Sequence, residues 1–129
     1  QPRPLLEQEE AVDERHQLIS SRRVEGTPVH NRSDQRLGSI HSVMIDKKTG
    51  NVAYAVLSFG GIFGMGEHVY PVPWELLDYD VGLDAYVVDL TRAQLADAPK
   101  LRLDQADRPR PRDYEDVTGY YAKLPWWGL

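Results

Sequence analysis

The chain has 129 residues, which is the size of one domain with short appended segments. It carries 15 Lys and Arg against 20 Asp and Glu, and the resulting net charge of −5 disfavours nucleic acid and anionic membranes as partners. There are no cysteines, which excludes thiol catalysis, disulfide bonds and cysteine-based metal sites.

Composition divides the chain into three parts: an N-terminal arm at residues 1–17, a domain at residues 18–98 and a C-terminal arm at residues 99–129. The N-terminal arm has the proline and apolar spacing of a short helix, and a frayed arm is the equal alternative. The longest apolar run, Val52–Phe59, has eight residues, whereas a membrane-spanning helix needs roughly 20. We therefore expect no transmembrane segment, and with no secretory signal apparent we expect a cytoplasmic location.

Short strands separated by turns are predicted at Leu18–Ser21, Thr27–His30, Leu37–Asp46, Val52–Phe59, His68–Pro73, Glu75–Tyr79 and Asp84–Leu90. The apolar positions break strict alternation between Ile40 and Val43, which predicts a β-bulge near residues 41–42. A capping box from Thr91 to Gln94 predicts a short helix that Pro99 ends. The pattern is typical of an all-β domain, a small barrel of about six strands with a short terminal helix.

The strand at Val52–Phe59 is apolar on both faces, so both faces are expected to be covered. A helix, the C-terminal arm or a second subunit would each serve as the outer cover. The following strand contains Pro71 and Pro73, which cannot donate ladder hydrogen bonds and therefore place it at an edge or an irregularity.

The C-terminal arm contains alternating arginine and proline at residues 108–112, which predicts an extended, stiff segment. It then carries Tyr120, Tyr121, Trp126 and Trp127, more large aromatics than a disordered tail normally has. These residues are predicted to dock either on their own barrel or on a second subunit.

Two further patterns resemble ligand sites but favour structural explanations. The glycine-rich segment 60–66 lacks the lysine of a phosphate loop, and its Ile62, Phe63 and Met65 either fold back onto the barrel or contact a partner. The alternating aspartates at 78–84 favour a hairpin turn over a calcium loop. We predict no catalytic residues, no cofactor and no metal.

Ordered motifs run through the central segment at Gly26–Val29, Leu37–Ile40, Val43–Asp46, Thr49–Val56, Ser58–Glu67, Val72–Trp74, Asp89–Thr91 and residues 94–95. Together they resemble the PRC-barrel family over about residues 18–98. That family is named for the cytoplasmic domain of the photosynthetic reaction-centre H subunit and includes the C-terminal domain of the ribosome-maturation protein RimM. The resemblance implies a compact β-barrel that contacts proteins, with no catalytic residues.

Only 17 residues precede the barrel, with no transmembrane helix among them, so a stand-alone bacterial member is expected. The predicted function is a non-catalytic interaction or scaffolding module that forms a homodimer. Its predicted contact residues are Phe59, Ile62, Phe63, Met65, Tyr120, Tyr121, Trp126 and Trp127. The alternatives are a ribosome- or RNA-associated accessory factor, a reaction-centre-associated protein, and a small-ligand or enzymatic role.

Overall fold

The computed structural model describes residues 18–59 and 68–124. Its strands are β1 Pro28–Asn31, β2 Arg36–Ile45, β3 Val52–Ser58, β4 His68–Pro73, β5 Leu77–Asp80, β6 Ala85–Val88 and β7 Leu101–Arg102. Its α-helices are α1 Ser21–Val24, α2 Arg92–Ala96 and α3 Pro111–Ala122, and two 3₁₀ helices lie at Trp74–Leu76 and Leu103–Gln105.

The strands form one sheet with the order β5-β6-β1-β2-β3-β4-β7. All neighbours are antiparallel except β1 and β6, which pair in parallel with Val29 opposite Tyr86. Over the described ranges no pairing joins β7 back to β5. The all-β, barrel-type prediction is confirmed, with seven strands where about six were expected.

Local irregularities fall where the sequence placed them. The register of β2 against β3 shifts between Ile40 and Ser42, which confirms the predicted bulge. The prolines of β4 pair only towards β3, because β7 reaches no further than His68 and Val69. On the side away from β3, Pro71 and Pro73 therefore face no paired β7 residue that would require a backbone N–H from them.

The N-terminal part of the domain differs from the prediction. No strand forms at residues 18–21, and a one-turn helix at Ser21–Val24 takes that place, with the Ser20 side chain accepting a hydrogen bond from the Arg22 N–H. The helix buries Val24 in the main core, which a strand pattern of two-residue period did not anticipate.

The core has two parts, one on each face of β3. Ala55, Leu57 and Phe59 point into the main cluster, while Tyr54 and Val56 belong to a second, smaller cluster on the opposite face. A strand with two buried faces was predicted, and the structure confirms it for residues 54–57.

The C-terminal arm was predicted to be extended, and this is corrected for most of its described length. Residues Pro111–Ala122 form the longest α-helix of the described chain. Proline is compatible with the first position of a helix because its missing N–H would have no partner there, so Pro111 starts α3 rather than prolonging an extended segment.

Candidate interaction site

Helix α3 is fixed at its start by one arginine–aspartate pair. The Asp113 carboxylate accepts hydrogen bonds from the Arg110 backbone N–H at 2.8 Å and from its guanidinium at 2.8 and 3.2 Å. Burial by itself would raise the pKa of Asp113, but these hydrogen bonds and the positive charge of Arg110 outweigh it and hold that pKa below its usual value. The pair therefore stabilises the helix end at neutral pH.

The two tyrosines predicted as contact residues lie near the end of α3. Tyr121 is fully buried in the main cluster, and burial raises the pKa of its phenol. Its hydroxyl is buried, and no group in the described part of the chain forms a hydrogen bond with it. The neighbouring Tyr120 is partly buried and donates its hydroxyl to the backbone oxygen of Gln94 at 2.6 Å, which joins α3 to α2.

The outer face of β3 is covered by the same chain. Tyr54 and Val56 pack with Val69 and with Ala106, which follows the second 3₁₀ helix. The Tyr114 ring of α3 stacks over Tyr54 with ring centroids 6.4 Å apart. The face expected to receive a docking tail is thus filled by the beginning of that tail, in cis.

Phe59, another predicted contact residue, belongs to the core instead of to an open surface. It is only 3% exposed, and its ring lies 4.9 Å from that of Tyr70. Phe59 and Tyr121 are therefore both buried within the chain, where their rings gain free energy by leaving water. The other predicted contact residues, Ile62, Phe63, Met65, Trp126 and Trp127, lie outside the described residues.

A surface that the contact prediction missed lies on the hairpin of β5 and β6. The hairpin surface, defined here as residues 78–84, exposes Tyr79, Val81 and Leu83 at 46%, 55% and 45%. The Tyr79 ring packs edge-on against Tyr86, with ring centroids 5.3 Å apart. The strand–turn–strand pattern was predicted, but the three apolar residues had been assigned no partner.

The carboxylates of the hairpin surface have local roles. Asp80 accepts a hydrogen bond from the Leu83 N–H at 3.0 Å and closes the turn, as the sequence predicted. Asp84 accepts a hydrogen bond from the Tyr79 hydroxyl, which raises the pKa of that phenol. Asp78 pairs with Arg32 at 2.9 Å. No group of three or more metal-ligating side chains forms within residues 18–59 and 68–124.

A shallow cleft lies between α1 and the hairpin surface. It has a volume of about 220 Å³, and its lining residues are Ile19, Arg23, Glu25, Gly26, Thr27, Pro28 and Asp84. The Thr27 hydroxyl is already donated to the Arg23 backbone oxygen at 2.9 Å. The proton of that hydroxyl is therefore already engaged with the backbone of α1.

The fold and these surfaces define a small, open, barrel-like β-domain whose C-terminal helix closes one side. A family model described as the PRC-barrel domain matches residues 16–95. The chain belongs to the PRC-barrel family, as the ordered sequence motifs predicted.

One relative is an uncharacterized protein of Deinococcus radiodurans, 28% identical to this chain over 81 residues. The matched region covers 63% of this chain and 28% of the relative, so the chain spans less than a third of that protein's length. None of the helices in the described part of the chain is both long and apolar enough to span a membrane.

Proposed function

We propose that this chain is a non-catalytic protein–protein interaction module of the PRC-barrel type, and that it self-associates. The observation that supports this most is that polar side chains form local hydrogen bonds with the backbone. Asp46, Asp80, Thr91 and Asp113 each accept hydrogen bonds within turns or helix ends instead of converging on a cavity. Such groups hold a scaffold in shape, and membership of the PRC-barrel family favours a contact role for it.

Protein is favoured over RNA as the partner because of local charge. Residues 74–90 contain five carboxylates and no Lys or Arg, and this surface repels a phosphate backbone. The ribosome-, RNA- and reaction-centre-associated roles remain predictions drawn from the resemblance.

Self-association is assigned to Ile62, Phe63, Met65, Trp126 and Trp127. Two of the other predicted contact residues, Phe59 and Tyr121, lie in the core, so the proposal rests on these five. Large apolar and aromatic side chains are typical anchors of protein interfaces. The cytoplasmic location likewise remains a prediction.

Light scattering on the full chain tests this proposal. We expect a mass of about twice 14.7 kDa. A monomer is expected for the triple variant Ile62→Ser, Phe63→Ser and Met65→Ser, and for the double variant Trp126→Ala and Trp127→Ala. Leu103→Ser is the matched control, because Leu103 is apolar and 43% exposed but lies beside β7. A monomeric wild type at all concentrations up to the millimolar range would reject self-association. Truncation after Ala106 is unsuitable, because it removes Val117 and Tyr121 from the core.

A further inference from the structure

Strand β5 forms one end of the sheet and offers a free edge. Across the described chain it pairs with β6 alone, in the register Leu77–Val88 to Asp80–Ala85. Residues 78–80 are exposed. The N–H and C=O groups on the outer side of such a strand are a template for one more strand.

The negative charge of β5 disfavours pairing between the β5 edges of two copies of this chain. In β5, Asp78 and Asp80 lie on one face and Tyr79 on the other, because side chains alternate along a strand. Antiparallel pairing of two copies centred on Tyr79 places Asp78 of each copy opposite Asp80 of the other. Like charges directly opposite each other are destabilising, so this edge repels itself.

The same charge favours a basic strand. The five carboxylates of residues 74–90 are all exposed, and the described contacts give only one of them, Asp78, a cationic partner. A strand with Lys or Arg at alternate positions would place each cation beside Asp78 or Asp80. Its intervening residues would lie on the face of Tyr79, whose ring is 46% exposed.

The apolar part of the hairpin surface matches the apolar residues of such a strand. Val81 and Leu83 extend the exposed apolar surface beyond the end of β5. From these observations we infer that β5 is a docking edge for an extended segment of a partner protein, with Lys or Arg alternating with apolar residues, which adds to the sheet as an eighth strand. This inference rests on the proposed interaction function and names a surface and a partner class for it.

The test uses the full chain labelled with ¹⁵N and a synthetic seven-residue peptide of alternating lysine and valine. We expect the amide signals of residues 77–80 to shift on titration and the outward-facing amides to exchange more slowly with solvent. Two control peptides separate charge from strand addition. One has glutamate in place of lysine, and the other carries N-methyl groups on two adjacent central residues, which removes one donor from each edge.

Two protein variants locate the effect. Asp78→Asn with Asp80→Asn keeps the acceptor for the Leu83 N–H and is expected to weaken binding by about 5–10-fold, since two exposed ion pairs are lost. Asp104→Asn makes the same kind of charge change beside β7 and is expected to alter binding by less than about twofold.

Three results would overturn the inference. They are no shift of the β5 signals at millimolar peptide, equal binding of the N-methylated peptide, and β5 signals that change with protein concentration alone. The last result would mean that a second copy occupies the edge. A negative peptide titration together with a dimer by light scattering would reject this docking edge and leave the proposed self-association standing.

Discussion

Gly38 of β2 lies against the backbone at the end of β3, so adding one methyl group there tests how the two strands pack. A Cβ atom at this position would stand 2.1 Å from the Ser58 backbone oxygen and 2.8 Å from the Phe59 ring. Ordinary contacts of this kind begin at 3.4 Å. Because the nearest atom belongs to the backbone, no side-chain rotation relieves the clash in Gly38→Ala, and the two strands must separate.

The expected cost follows from two contributions. Overpacking costs about 1–3 kcal/mol, and weakening ladder hydrogen bonds near the Ser39–Ser58 pair costs about 1 kcal/mol more. We therefore expect Gly38→Ala to lower the free energy of unfolding by about 2–4 kcal/mol. With an unfolding entropy of about 2.1 cal/mol/K per residue, each kcal/mol shifts Tm by about 4 °C in a chain of 129 residues, so Tm should fall by about 8–15 °C.

Differential scanning calorimetry and urea unfolding measure both quantities. The matched control is Gly119→Ala, because a Cβ at Gly119 meets no atom within 4 Å inside α3. Alanine is the better helix former, so this control should gain about 0.5–1 kcal/mol. A Tm for Gly38→Ala within about 2 °C of wild type would refute the close approach of β2 and β3 at this point.

Three other predictions concern the helices. Tyr121→Phe should raise the free energy of unfolding by about 1 kcal/mol, because it removes a buried hydroxyl that no described residue pairs. Tyr120→Phe should lower that free energy by about 0.5–1.5 kcal/mol, because it removes the hydrogen bond to Gln94, and urea unfolding measures both effects. Because the pKa of Asp113 is lowered in the folded state, its carboxylate stabilises the fold at pH values above its ordinary pKa of 3.8. That stabilisation is lost as the pH falls through the lowered pKa. Wild type should therefore exceed Asp113→Asn in stability at pH 7, with the gap closing below pH 3.8; a pH-independent gap would contradict the role of Arg110. Thr91→Ala should cost about 1 kcal/mol by removing the capping box, and an unchanged urea midpoint would disprove that contribution.

The C-terminal helix shows why one part of the sequence was misread. Alternating arginine and proline indicated an extended arm, yet the same residues carry two helix-start signals, Pro111 at the first position and Asp113 two residues later. Val117, Tyr121 and Leu124 then recur at the spacing of one helix face and all pack in or against the main cluster. This periodicity was available in the sequence and outweighs the proline pattern.

The contact residues could be predicted only in part. The aromatic arm was expected to dock on its own barrel or on a second subunit, and local pattern could not decide between the two. Tyr114 stacks on Tyr54, and the Tyr120 hydroxyl donates a hydrogen bond to the Gln94 backbone oxygen. Where the described part of the arm docks therefore depends on contacts between residues 26 or more positions apart. The exposed hairpin surface was missed because alternation alone does not show which face of an edge strand remains uncovered.

The sequence by itself determined the strand periodicity, the bulge near residue 41, the turn at residues 80–83, the capping box at Thr91 and the family. The structural features among these depend on residues a few positions apart, whose steric and hydrogen-bonding preferences act locally, whereas the family depends on the order of motifs along residues 26–95. Tertiary structure alone decided that Phe59 and Tyr121 are core residues, that α3 covers the barrel in cis, and that β5 forms an acidic edge to which no other described strand than β6 pairs. Those outcomes depend on strand order and on which apolar surfaces meet, because burial is a property of the whole assembled sheet.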